Sequence, residues 1–147
     1  MTASHQFCTF YLGEQYFGID VLRVQEIVRH QPMTRVPLAH PMIRGLLNLR
    51  GQIVTAIDLR CRLELTPLAA DGEPVNIVVQ TADGAVSLLV DAISDVLEVT
   101  AERFERPPET LQGATRDLIR GVYKLSDRLL IILDTDLVVS LPGEASL

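Results

Sequence analysis

Residues 43–59 read "IRGLLNLRGQIVTAIDL", and residues 119–135 read "IRGVYKLSDRLLIILDT". Overlaid without gaps, they share Ile43/Ile119, Arg44/Arg120, Gly45/Gly121, Leu49/Leu125 and Asp58/Asp134. Most other positions keep their apolar or polar character. Each stretch is two short apolar runs joined at a turn, Arg50-Gly51 in one and Ser126-Asp127 in the other, the pattern of a β-hairpin. A hairpin written twice predicts an all-β chain built from two copies of one small unit.

The duplication extends outward from this pair. "GIDVLRVQEIV" (Gly18–Val28) overlays "SLLVDAISDVL" (Ser87–Leu97), placing Val24 on Ile93, Glu26 on Asp95 and Ile27 on Val96. The offset is 69 residues here and 76 in the hairpin pair, so the second copy holds seven extra residues in the Pro-rich "EVTAERFERPPETLQGATRD". Two further hairpins are signalled, one hinged at Gly13-Glu14 within "QFCTFYLGEQYFGI" and one at Asp83-Gly84 within "NIVVQTADGAVSLLV". One stretch reads as helix: in "DVLRVQEIV", Val21, Val24, Ile27 and Val28 recur at helical spacing behind Asp20, an N-cap residue. "LELTPLAADGEP" and "ERPPETLQGATR" read as loops, and residues 140–147 as a tail expected to fray. The expected architecture is a single domain, 1–147, all-β with one or two short helices. Two small β-barrels or sandwiches packed face to face carry the repeat blocks 18–59 and 87–135. Which half supplies each strand is open, and a groove is expected at their junction.

Composition narrows the function. The 147 residues are 48% hydrophobic and 22% charged, which describes a globular domain. The net charge is −6, the wrong sign for a phosphate backbone, so nucleic acid is not an expected partner. The longest apolar run, Leu129–Leu133, is too short to enter a bilayer. "MTASHQF" has no export pattern, and Cys8 and Cys61 read as small buried hydrophobes in a reducing compartment. A soluble cytoplasmic protein is expected.

Nothing in the residues points to a reaction. His5, His30 and His40 have no second ligand at metal spacing, and there is no Gly-rich phosphate loop or G-x-S-x-G turn. Strand-ending Asp58 and Asp134 resemble the paired carboxylates of two-lobed aspartic proteases, but that chemistry uses Asp-Thr/Ser-Gly. Here Asp58 precedes Leu-Arg and Asp134 precedes Thr-Asp. Each is expected to cap the turn that follows it. No metal and no cofactor are expected.

The informative signal is where the copies differ. Glu26 and Arg50 are charges in apolar surroundings, and their counterparts are Asp95 and Ser126, so the acid survives and the base does not. If the two units share a fold, Glu26 and Arg50 come together and pin the Asn48–Gly51 turn against Val24–Val28. Arg50 also reads as a solvated turn residue, and Val24, Ile27 and Val28 as an inward-packing face. Apolar and acidic positions side by side would equally suit a groove that grips a partner's helix.

"YFGIDVLRVQEIV", "IRGLLNLRGQIVTAIDLRCRL", "SLLVDAISDVLEVTAERFERPPE" and "IRGVYKLSDRLLIILDTDLV" together resemble the CheW-like family of chemotaxis coupling proteins. The match runs from about Phe7 to Val138, with the blocks in the family's order. The resemblance implies two SH3-like, five-stranded β-barrel subdomains around a shared apolar interior. It also implies a scaffold with no catalytic centre and no cofactor, held in the cytoplasm at the edge of membrane-bound receptor arrays. Its partners would be the cytoplasmic tip of a chemoreceptor and the regulatory domain of a CheA-type histidine kinase. By position, the resemblance puts Val24, Glu26, Ile27, Gly45, Asn48, Arg50 and Gly51 in the receptor-facing groove. Met33, Thr34 and Asp71 fall on the far, kinase-facing side of the first barrel. Thr55 stands where the family usually has Pro, and Leu65–Pro74 is weakly matched, which leaves the identity of the kinase open. The same coupling role in a surface-sensing or pilus pathway is the alternative.

Overall fold

A computed structural model describes residues 4–66, 73–100, 103–107 and 114–141. In chain order the elements are β1 (Ser4–Leu12), β2 (Gln15–Asp20), a 3-10 turn (Val21–Arg23), β3 (Val24–Val28), β4 (Ile43–Leu49), β5 (Gln52–Asp58) and α1 (Leu59–Arg62). There follow β6 (Val75–Thr81), β7 (Gly84–Val90), β8 (Ala92–Thr100), β9 (Phe104–Glu105), α2 (Ala114–Leu118), β10 (Ile119–Lys124), β11 (Leu129–Leu133) and α3 (Thr135–Val139). The chain is mainly β, as expected, and all four hairpins form.

Two local expectations are corrected. Val24–Val28 is a strand. Asp20 does cap, accepting from the Leu22 amide at 2.9 Å, but what it caps is one 3-10 turn. From Val24 onward the burial alternates with period two, and the β-branched Val and Ile side chains suit the free edge of β6, with which they pair. The second stretch read as loop contains the start of α2 at Ala114.

The strands form two sheets, ordered β3-β6-β7-β5-β4 and β8-β1-β2-β11-β10-β9. Over five strands the two orders are the same, and the short β9 adds a sixth strand to the edge of the second sheet. Shifting by the two sequence offsets carries β3 to β8, β5 to β11 and β4 to β10. The hairpin β6–β7 then falls on β1–β2. The registers agree residue for residue: Thr55↔Val86 and Ala56↔Ser87 become Ile131↔Phe17 and Ile132↔Gly18. Both pairings are parallel, so neither can be closed by a tight turn. The first barrel borrows β6–β7 from the later part of the chain, and the N-terminal hairpin completes the second. Every barrel therefore draws on both halves of the sequence.

Strand alternation divides the core into three. Leu47, Val54, Ala56, Val78, Ala85 and Leu89 fill the first barrel. Phe7, Tyr16, Val99, Tyr123, Leu130 and Ile132 fill the second. The intervening positions, among them Cys8, Phe10, Ile57, Leu59, Ile77, Val79, Leu88, Leu133 and Val138, form the largest cluster, in which residues of both sheets pack together. A shared apolar interior is what joins the barrels.

Candidate functional site

β3 and β4 are opposite ends of the first sheet, yet Glu26 on β3 meets Arg50 in the β4–β5 turn. The sheet has curled until its ends approach, and this ion pair bridges the seam. The turn is built for the task. Arg50 and Gly51 both have positive φ, 52° and 86°, the pair of left-handed residues that a two-residue hairpin with the favoured twist requires. Asn48 Oδ1 accepts from the Gly51 amide at 2.9 Å and fixes the loop. The Arg50 guanidinium, donating to the Glu26 carboxylate, is the main cause holding that carboxyl below its ordinary pKa.

The pair joins a recessed acid to an exposed base: the Glu26 side chain is 21% exposed and that of Arg50 74%. It is a surface pair at a rim. Beside it, Val24 packs on the shared core and Val28 on the first barrel's core, while Ile27 points out and remains 45% exposed. The inward-face reading thus holds for the two valines, and Ile27 is the apolar residue of this strand left exposed. Ile53, opposite Asn48 across the hairpin, is also exposed at 60%.

Gly45 lies elsewhere. It sits in β4 beneath the Met33–Thr34 segment, where a Cβ would come within 2.8 Å of the Thr34 carbonyl oxygen and 3.2 Å of the Met33 Cβ. Thr34 and Leu46 exchange backbone hydrogen bonds at 2.8 and 2.9 Å across this contact. The structure therefore brings Gly45 together with Met33 and Thr34, while Val24, Glu26, Ile27, Asn48, Arg50 and Gly51 gather around the seam. Asp71 lies outside the described residues.

Two clefts flank these groups. One, of about 750 Å³, starts at Gln52 and Ile53 beside the Arg50 turn and runs between β5, the β6–β7 turn and α3, with Asp136, Val139 and Leu141 on its far wall. The other, of about 1140 Å³, lies by Met33, Val36, Leu38, His40 and Arg44. The first is a junction groove of the kind the duplication anticipates, because β5 belongs to the first repeat block and α3 directly continues the second.

Sequence reasoning missed the groups that hold α3 in place. Arg23 Nη2 donates to Asp136 Oδ1 at 2.7 Å and to the Gln80 carbonyl at 3.0 Å. Arg62, 6% exposed, donates to the carbonyls of Leu137, Val138 and Ser140 at 2.8–2.9 Å. The strand-ending aspartates cap as expected: Asp58 Oδ1 accepts from the Cys61 amide at 3.2 Å and Asp134 Oδ1 from the Leu137 amide at 3.1 Å. Among the described residues no three His, Cys, Asp or Glu side chains cluster as metal ligands. None of the helices among them is long and apolar enough to cross a membrane.

Residues 6–142 match the family model described as the CheW-like domain. The chain is similar to the Chemotaxis protein CheW of Klebsiella aerogenes, 36% identical over 139 residues, covering 95% of this chain and 84% of that one. The Chemotaxis protein CheW of Bacillus subtilis is 35% identical over 130 residues, covering 88% and 83%. The crystal structure of the scaffolding protein TtCheW from Thermoanaerobacter tengcongensis superposes with a TM-score of 0.84 at 26% identity, covering 97% of this chain and 92% of that one.

Proposed function

This chain belongs to the CheW-like domain family and is a non-enzymatic scaffold of the chemotaxis type, and we propose that it couples the cytoplasmic tip of a chemoreceptor to the regulatory domain of a CheA-type histidine kinase. The observation that carries this reading is the seam of the first barrel. An exposed arginine is held out by a recessed glutamate, Ile27 and Ile53 are left unburied nearby, and a cleft of mixed apolar and polar lining begins at the next residues. Apolar anchors with a charged rim suit the end of a helical hairpin. On this reading Val24, Glu26, Ile27, Asn48, Arg50 and Gly51 form or support the receptor face. Gly45 supports it from behind, through β4. Met33, Thr34 and Asp71 belong to the kinase face.

The test uses Arg50→Ala in two binding assays: co-sedimentation with receptor-bearing membranes and titration with the isolated kinase regulatory domain. Loss of the first with retention of the second is expected. Unchanged co-sedimentation removes Arg50 from the receptor face.

A further inference from the structure

Arg62 is a buried cation with no carboxylate partner among the described ion pairs. Burial pulls its pKa below the usual guanidinium value. Taking such a charge out of water is costly, and a well-packed apolar side chain would fill the same space without that cost. Its compensation is local: three N–H···O bonds to the carbonyls of Leu137, Val138 and Ser140, at the open end of α3. Helix-end carbonyls lack intrahelical donors and must find them elsewhere. Arg62 lies just after the first repeat block, and α3 begins at the end of the second and runs beyond it. The bond set is therefore a clamp between the two copies.

What α3 does next gives the clamp its reach. Its residues Asp136 and Val139, with Ser140 and Leu141 just beyond, form the far wall of the cleft that opens at Gln52 and Ile53. Asp136 also holds Arg23, the residue immediately before β3. From Arg62, then, one short helix leads both to the width of the cleft and to the entry of the strand bearing Glu26 and Ile27. We infer that Arg62 is a positioning residue for the receptor face, setting the cleft by clamping α3 without touching the bound partner. This rests on the receptor reading of the cleft given above.

The experiment compares wild type, Arg62→Met, Arg62→Lys and Arg50→Ala. It measures receptor co-sedimentation, affinity for the kinase regulatory domain, thermal melting and backbone amide shifts. Arg62→Met is expected to stay folded and to displace the amides of Asp136–Ser140, Ile53 and Arg23–Val28. It should weaken receptor binding about three- to thirtyfold and leave kinase-domain affinity within about twofold, with Arg62→Lys restoring part of the loss. A folded Arg62→Met with native receptor affinity, while Arg50→Ala loses binding, overturns the inference. If neither Arg62→Met nor Arg50→Ala changes receptor binding, it is the receptor reading that falls. The amide shifts then judge the clamp alone, and unmoved signals at Ile53 and Arg23–Val28 refute it. Should Arg62→Met fail to fold, Arg62→Lys decides: native amide shifts and native affinity in that variant are the refuting result.

Discussion

Arg62 and Val138 occupy the same place in the two copies, 76 residues apart, and they touch: Arg62 Nε donates to the Val138 carbonyl at 2.9 Å. Equivalent residues of the two copies thus meet, and the contact ties the segment after β5 to the segment after β11. An identical residue on both sides would bury two like charges against each other, or leave the carbonyls of both helix ends without donors. One copy keeps the cation and the other presents its carbonyls. Arg62→Ala takes the guanidinium from the Val138 and Ser140 carbonyls, while the Leu137 carbonyl keeps the Ser140 amide at 3.3 Å. It is expected to lower unfolding stability by roughly 3 kcal/mol at neutral pH, read from urea melts.

The Glu26–Arg50 pair behaves differently because it lies at the surface. Arg50→Ala is expected to leave the melting temperature nearly unchanged, as for other exposed pairs. Its signature is in titration. Glu26 is held below its ordinary pKa by the Arg50 hydrogen bond, so its contribution is present above the ordinary glutamate pKa and fades as pH falls through the lowered value. Removing Arg50 should move the Glu26 midpoint up, toward the ordinary glutamate value. Carboxyl-carbon NMR across pH 2 to 7 measures this, and a midpoint that stays put shows that something other than Arg50 depresses it.

Much of this was legible from the repeat. Aligning two hairpins located the β4–β5 and β10–β11 turns, and the copy-one-only Arg50 pointed to its contact with Glu26. The helix expected over Val21–Val28 failed because its apolar residues fit periods of 3.6 and 2 equally well in so short a window. An unpaired strand edge on β6 then decided for the strand. Strand exchange between the halves was hidden because a linear repeat says nothing about which sheet a hairpin joins. Arg62 was hidden too, since in "LRCRL" it reads as an ordinary solvated arginine. Only its counterpart, the apolar Val138, hinted at a buried position.

Gly45 and Gly121 explain why the repeat keeps glycine at this place in both copies. Each lies under a crossing segment: a Cβ at Gly45 would come 2.8 Å from the Thr34 carbonyl oxygen, and one at Gly121 would lie 2.5 Å from that of Glu105 and 2.6 Å from Phe104 Cε1. Backbone cannot yield as a flexible side chain can. Alanine at either site is expected to cost about 1–3 kcal/mol, with Gly121→Ala the worse because a ring and a strand must both move. Chemical denaturation of the two variants checks the order. If Gly45→Ala melts like wild type yet loses receptor binding, Gly45 acts at the receptor face directly and not through packing.

Asp91 gives the sharpest pH prediction. Arg60 grips its carboxylate with two donors, Nε at 2.8 Å and Nη2, and the Gly13 amide adds a third at 2.6 Å. The Arg60 hydrogen bond is the main cause lowering the Asp91 pKa. Burial opposes it, and the Gly13 amide assists. Because the folded-state value is depressed, the stabilisation is complete above the unfolded aspartate pKa of about 3.9 and disappears as pH falls through the lower folded value. With both side chains only about one-fifth exposed, screening by water is partial. Asp91→Asn is therefore expected to cost roughly 1–3 kcal/mol at pH 7. It should also flatten the acid limb of the stability curve below about pH 4, so that wild type and variant converge there. Curves that stay parallel down to pH 2 would mean that Asp91 is not the carboxylate whose protonation weakens the fold.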